Sequence, residues 1–247
     1  HEGFSINPSC IDNDVPKGSQ SVLFMPTDVY DRRHTDRCEK KRREKEQEAK
    51  WERHWFGTMG EVVIGISGAS GAIYGKRLTE ILSEMGKTVR LVVTDSGKLT
   101  LKHECDTTPK ELAEATNAIL ENAKNVGAKS ASGSAKIDAV VICPCSGTTI
   151  GKLAAGISDN LVTRSAIVAM KERRKLIIVP REAPYATVHL ENMAKLSQWG
   201  TIVIPASPGF YNHPKSIDDM VDFIIARILD QLGYEHTIGR RWTGDEI

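Results

Sequence analysis

From Glu61 onward the chain alternates short, wholly apolar runs with longer segments whose apolar positions recur at helical spacing. The apolar runs are EVVIGI, TVRLVV, AVVICPC, KLIIVP and TIVIP. Continuous Val, Ile and Leu over so few residues is what a strand buried on both faces requires. Helical spacing follows the Gly-rich turn at 65–71 and returns over 108–127, where Pro109 suits a first turn. It returns again over 158–174 with Ser158 or Asp159 as cap, over 189–200 closed by Gly200, and over 216–233 ending at Gly233. Strands that alternate with helices in this way predict an α/β domain with a parallel sheet covered on both faces. The expected architecture is doubly wound, Rossmann-like or flavodoxin-like, and no internal repeat interrupts it.

Residues 1–60 have a different texture, which divides the chain into a 1–60 extension and a 61–247 domain. The opening stretch HEGFSINPSCIDNDVPKGSQ holds many turn formers and few core formers, so irregular structure is expected. DRRHTDRCEKKRREKEQEAKWERHWFG follows, dense in both signs of charge. A solvated helix or linker fits it better than a nucleic-acid arm, because phosphate binding needs an excess of positive charge. Cys10, His34, Cys38 and His54 are metal-ligand types, but their spacing matches no zinc pattern.

Composition narrows the function without naming it. Of 247 residues, 40% are hydrophobic and 26% charged, as in a globular protein with a substantial core. The formal net charge of +1 gives no bulk field toward nucleic acid or an anionic membrane. No apolar run approaches the roughly 20 residues of a membrane span. Five cysteines without even spacing do not make a secreted disulfide framework, and Cys143 and Cys145 read as core thiols. With no signal-peptide pattern, the expected setting is cytoplasmic.

In doubly wound sheets ligands sit beyond the carboxyl ends of the strands, so the chemistry is sought there. The first strand runs into GISGASG, whose small residues allow backbone amides to approach a ligand; tight strand-to-helix packing explains the turn equally well. It is not the dinucleotide GxGxxG. The second strand ends at Thr94. The third ends in Ser146, Gly147, Thr148 and Thr149, which suit phosphate or ribityl oxygens and also suit a helix cap. The fourth ends in Pro-Arg181-Glu182-Ala-Pro, an anion-binding group beside a proton-exchanging one; the fifth leads to Tyr211. Helical Arg164, Lys171 and Arg227 add positive charge. Hydroxyls, cations and one carboxylate suit phosphorylated ligands. No Ser-His-Asp set arises at the strand ends; His189 reads as a cap or packing residue, and His103 and His213 carry no assignment.

The segments GISGASGAIYG, VICPCSGTT, MKERRKLIIVPREAPYATVHLENMAKLS and PASPGFYNHPKSIDDMVDFIIARILDQLG strongly resemble the flavin prenyltransferases. That family is UbiX-like and was formerly called phenylacrylic-acid or polyprenyl-hydroxybenzoate decarboxylase. The resemblance runs from about Glu61 to Thr243. It implies a Rossmann-like flavoprotein, usually a homo-dodecamer, that joins a dimethylallyl group from dimethylallyl phosphate to N5 and C6 of reduced FMN. The prenylated FMN would serve a UbiD-like decarboxylase, in ubiquinone biosynthesis or aromatic acid decarboxylation, and no metal is expected. Carried over by the resemblance, the FMN contacts fall on Gly68, Ala69, Ser70, Thr94, Ser146, Gly147, Thr148, Thr149 and Arg181. Thr94 replaces a common serine and keeps the hydroxyl. The prenyl-phosphate contacts fall on Lys171, Tyr211 and Arg227, with Ser132 also on the substrate side. Glu182 matches the acid–base glutamate, and Ser70, Glu104, Arg164 and Trp242 match further positions of the site.

By this resemblance the flavin is the nucleophile, so no nucleophilic side chain is needed. Lys171, Arg164, Arg227 and Tyr211 would stabilise the departing phosphate, Trp242 would shield an allyl cation, and Glu182 would relay a proton. Two other readings remain open. One is an FMN-dependent decarboxylase of the peptidyl-cysteine type, which by resemblance uses an active-site His and an Asn-containing motif absent from these strand ends. The other is a non-catalytic flavin-binding protein, which would leave the cations idle.

Overall fold

In the computed structural model, residues 60–239, Arg241 and Gly244 are described, all within the second of two compact units, His1–Thr58 and Met59–Ile247. The solvated helix or linker expected in the N-terminal extension, the residues Cys10, His34, Cys38 and His54 there, and Trp242 lie outside the described residues.

Six parallel strands form one sheet in the order β3-β2-β1-β4-β5-β6. They are β1 (Glu61–Ile66), β2 (Thr88–Val93), β3 (Ile119–Glu121), β4 (Ile137–Cys145), β5 (Lys175–Pro180) and β6 (Ile202–Val203). This is the doubly wound order of dinucleotide-binding sheets; without the short edge strand β3 it is the flavodoxin order. Chain direction across the sheet reverses at β1 and β4, which makes their carboxyl ends the topological switch point.

Strand alternation sorts the core into two layers. Val62, Ile64 and Ile66 of β1 face a cluster built with α1 (Ala72–Glu84), α2 (Asp95–Cys105), α3 (Pro109–Thr116) and α7 (Ile217–Leu232). Val63 of the same strand faces a second cluster built with α4 (Gly147–Ala154), α5 (Leu161–Lys171) and α6 (Thr187–Gln198). Both faces are therefore covered, which is why the strands read as continuous apolar runs. Among the described residues no helix is long and apolar enough to cross a membrane.

The structure revises several expected elements. The helix expected over 108–127 ends at Thr116, because Asn117 takes the left-handed conformation (φ 54) that Asn tolerates and most residues do not. Ile119–Glu121 then pairs with Arg90–Val92 as an edge strand. Asn160, rather than Ser158 or Asp159, caps α5: its side chain accepts from Thr163 N at 3.1 Å while the Thr163 hydroxyl accepts from Asn160 N. The last strand is shorter than its apolar run. Pro205 offers no amide, although the ladder resumes when Ala206 N donates to Pro180 O. Helices α2 and α4 begin at Thr94 and Ser146, whose hydroxyls accept from Gly97 N and Thr149 N.

Candidate active site

At the switch point one buried hydroxyl ties two strand ends together. Ser67 Oγ donates to Pro144 O at 2.9 Å and accepts from Ser146 N at 2.8 Å. Ser67 is 1% exposed, so these bonds have no water to replace them. The tie fixes the glycine turn after β1 against the hydroxyl cluster after β4. Sequence reading passed over Ser67; its only signal was a polar residue directly after a strand that is otherwise apolar.

In the glycine turn Gly71 sits at φ 103, a conformation costly for any residue with a Cβ, and α1 starts from it. The first amides of α1 are already engaged: Gly71 N and Ala72 N each donate to Glu104 Oε2 at 2.8 Å. Glu104 thus reaches from the last turn of α2 and places a carboxylate at the positive end of α1. An incoming anion meets a carboxylate there. Arg181 crosses from the end of β5 and donates through Nε to Ser70 O at 3.1 Å, joining a third strand end to the turn.

The start of α4 offers the better anion cradle. Ser146 Oγ lies 3.0 Å from Thr149 Oγ1, Thr148 is exposed, and the first amides of the helix point the same way. Gly147 gives the imidazole room there: a Cβ would stand 2.5 Å from His189 Nε2 and displace the ring. The imidazole lies against the helix start, accepts at Nδ1 from Ala186 N at 3.4 Å, and meets the Tyr185 ring edge-on. His189 therefore caps and packs, as its position near a helix start suggests. It also fixes the 181–186 loop against α4.

That loop carries the one carboxylate beyond the end of β5. Glu182 is half-buried, and its Oε1 accepts from Ala183 N at 3.3 Å. Burial pushes the Tyr185 phenol above its usual range, and the neighbouring Glu182 carboxylate adds to the effect. Cys143 and Cys145 are wholly buried in the strand that leads to the cradle. Burial holds both thiols far above their ordinary values, so neither is an available nucleophile.

The carboxyl edge of one chain thus gathers Gly68, Ala69, Ser70, Thr94, Glu104, Ser146, Gly147, Thr148, Thr149, Arg181 and Glu182. Arg164 joins them in the first turn of α5, where Leu161 N donates to Ala123 O just beyond β3. Among the described candidates, Lys171, Ser132, Tyr211 and Arg227 stand apart from this group, so the positive charge expected from Lys171 and Arg227 is not added to that edge within one chain. Lys171 ends α5 and pairs with Glu172, just before β5 begins. A Cβ on Gly133 would stand 2.6 Å from Lys171 Nζ, which puts neighbouring Ser132 there too, at the amino edge. A six-residue strand separates the two edges by about 20 Å. Tyr211 and Arg227 form a third group, lining a cavity of ≈ 240 Å³ beside α7 with Asp230, His236 and Arg241.

Comparisons with known proteins place the chain among flavoproteins and give its family. The Flavoprotein family profile matches residues 58–229. A flavin prenyltransferase UbiX from Methanocaldococcus jannaschii is 45% identical over 182 residues, which is 74% of this chain and 98% of that protein. A dodecameric FMN-dependent UbiX-like decarboxylase structure from Escherichia coli O157:H7 superposes with a TM-score of 0.72 at 40% identity, covering 74% of this chain and all of that one. A structure of AnUbiX (PadA1) in complex with FMN and dimethylallyl pyrophosphate superposes with a TM-score of 0.74 at 31% identity, covering 76% of this chain and all of that one. With nearly the whole of such relatives spanned at this identity, the chain belongs to the flavin prenyltransferase family.

Proposed function

We propose that this chain joins the dimethylallyl group of dimethylallyl phosphate to N5 and C6 of reduced FMN, and that residues 61–247 are its working domain with 1–60 an extension. One observation carries the reading beyond family membership. The carboxyl edge holds an uncharged phosphate cradle, an arginine and a carboxylate, while the thiols beside it are buried and inert. Such an edge binds and exchanges protons but supplies no nucleophile. A flavin phosphate fits it: Ser146, Thr149 and the first amides of α4 would hold the phosphate, with Thr94, the glycine turn and Arg181 alongside. Reduced FMN supplies the attacking atoms when bound.

The remaining steps fall to the side chains. Glu182 takes up and returns the proton displaced as the new ring closes. Arg164, Lys171, Tyr211, Arg227 and Ser132 hold the donor phosphate and stabilise the charge that grows on it as the allylic bond breaks. Lys171 and Ser132 stand at the opposite sheet edge from Glu182. We therefore infer that the site is completed between copies in a homo-oligomer, as the dodecameric state of the Escherichia coli relative suggests. The product then passes to a UbiD-like decarboxylase. Among the described residues Cys105, Cys143 and Cys145 are free thiols, which favours a reducing, cytoplasmic setting.

The test is anaerobic incubation of the full chain with reduced FMN and dimethylallyl phosphate, followed by mass spectrometry of the extracted flavin. A flavin heavier by one prenyl group is expected. Unchanged FMN, from protein that binds both ligands, overturns the proposal. Glu182→Gln is expected to keep FMN bound and slow product formation by about 10²-fold or more, the scale of a lost general acid–base.

A further inference from the structure

The cavity beside α7 contains more anion-binding machinery than Tyr211 and Arg227. Its centre is Asp230, a carboxylate 18% exposed with a different partner on each side. Asp230 Oδ2 accepts from Arg227 Nη1 at 2.8 Å. Asp230 Oδ1 accepts from Arg241 Nη2 at 2.6 Å and faces His236 Nε2 at 3.1 Å. The His236 side chain is 3% exposed, and its Nδ1 accepts from Ile238 N at 3.2 Å. That bond fixes the tautomer, with the proton on Nε2 and directed at Asp230. Burial alone would push the Asp230 carboxyl up, yet the bonds from Arg241 and His236 hold it below the usual carboxylate range.

An isolated i,i+3 surface pair such as Arg227 with Asp230 would contribute little. Here the carboxylate is shared, and the sharing fixes geometry. Each guanidinium has five donors and commits only one nitrogen to Asp230, so both keep donors facing the cavity they line. Two arginines against one carboxylate leave a net positive charge in a cavity of ≈ 240 Å³.

We propose that Arg241 is a second phosphate-binding guanidinium of this cavity, acting with Arg227 on the prenyl donor, and that Asp230, backed by His236, is the positioning residue that sets both arginines. The proposal rests on the prenyl-transfer reading for the identity of the anion and on the cavity for its place.

Arg241→Gln and Asp230→Asn in the full chain separate the possibilities. Arg241 is exposed, and Asp230→Asn keeps the side-chain shape; melting curves verify that both variants fold. At saturating reduced FMN, each substitution is expected to raise KM for dimethylallyl phosphate by about tenfold or more, the scale of one charge-assisted hydrogen bond. FMN affinity, measured by titration, is expected to stay within about twofold, and Arg241→Lys is expected to recover part of the loss for want of the planar fork. Unchanged KM in Arg241→Gln overturns the role of Arg241, and unchanged KM in Asp230→Asn overturns that of Asp230. Should the parent chain make no prenylated flavin, the prenyl-transfer reading fails by itself. Calorimetric titration with dimethylallyl phosphate and with inorganic phosphate then decides: binding that Arg241→Gln weakens supports the cavity proposal, and absent or unweakened binding overturns it.

Discussion

A glycine inside a helix is usually a weakness, since alanine there is favoured by about 1 kcal/mol. Gly75 reverses the sign. A Cβ on it would stand 2.3 Å from the carbonyl oxygen of Cys143 and 2.9 Å from Ile66 Cδ1, so α1 packs on the sheet only through a bare Cα. Gly75→Ala is expected to lower stability by about 1–3 kcal/mol, the cost of overpacking, in a denaturant titration. A rise would show that α1 can slide on the sheet. The two buried thiols give a second expectation at this scale. A thiol reagent at pH 8 should leave Cys143 and Cys145 unmodified in the native chain and label both after unfolding, as peptide masses would show. Labelling of either in the native state would contradict the burial that holds their protons. Sequence alone suggested thiols of this kind, because a proline between two cysteines at the end of an apolar run reads as core. It gave no hint of the bonds that Ser67 makes to Pro144 and Ser146 or of the pairing of Glu104 with α1, since neither partner is near in sequence and contacts across such a span leave no periodic trace.

Elements were legible in proportion to how fully their apolar pattern met the sheet. The inner strands β1, β2, β4 and β5 are buried on both faces and read directly as apolar runs; α7, with its Ser216 cap and Gly233 stop, read nearly residue for residue. Helices α2 and α4 did not. Only Gly97 and Leu101 are buried in α2, and α4 spans eight residues, so neither shows two turns of clear spacing. What specifies them is their caps, Thr94 and Ser146; the sequence offers the Ser146 cluster equally as ligand hydroxyls or as a cap, and Thr94 as a ligand hydroxyl. The dual role is testable through the bond that places one of them. Ser67→Ala removes the acceptor of Ser146 N and is expected to cost about 1–3 kcal/mol of stability, because a buried amide is left unpaired. It should also weaken FMN binding, since the start of α4 is then free to drift from the glycine turn. Lost stability with unchanged FMN affinity would separate the cap from the cradle.

At the scale of the whole molecule the amino edge has its own electrostatics. Arg90 on β2 pairs with Glu61 on β1 at 3.1 Å and with Glu121 on β3 at 2.7 Å, stitching three strands together. Burial raises the Glu61 carboxyl, but bonds from Arg90 and Lys129 outweigh it and hold the group below its ordinary 4.5. A depressed carboxyl stabilises the fold above its unfolded value, and that contribution is lost as pH falls through the folded one. Glu61→Gln should therefore lower the melting temperature at pH 7 and flatten its decline below about pH 4.5; parallel curves for the two proteins would exclude Glu61 as a source of acid sensitivity. The same edge holds Lys171 and Ser132, whereas Glu182 stands beyond the opposite ends of the strands. Sequence could not reveal this separation, because a motif match assigns residues to a site without saying whose copy of the site. If neighbouring copies complete it, two defective chains should rescue each other. Lys171→Ala lacks the donor contact it lends outward, and Glu182→Gln lacks the proton relay it keeps at home, so each homo-oligomer is impaired at every site. In a mixed oligomer, some sites pair an intact Glu182 from one chain with an intact Lys171 from another. Co-expression of the two variants, carrying different affinity tags and purified through both, is expected to restore prenylated-flavin formation that neither shows alone. Mixed oligomers as inactive as their parents would place Lys171 and Glu182 in service of the same chain's site, and the distance across the sheet would then have to be closed by a rearrangement of that one chain.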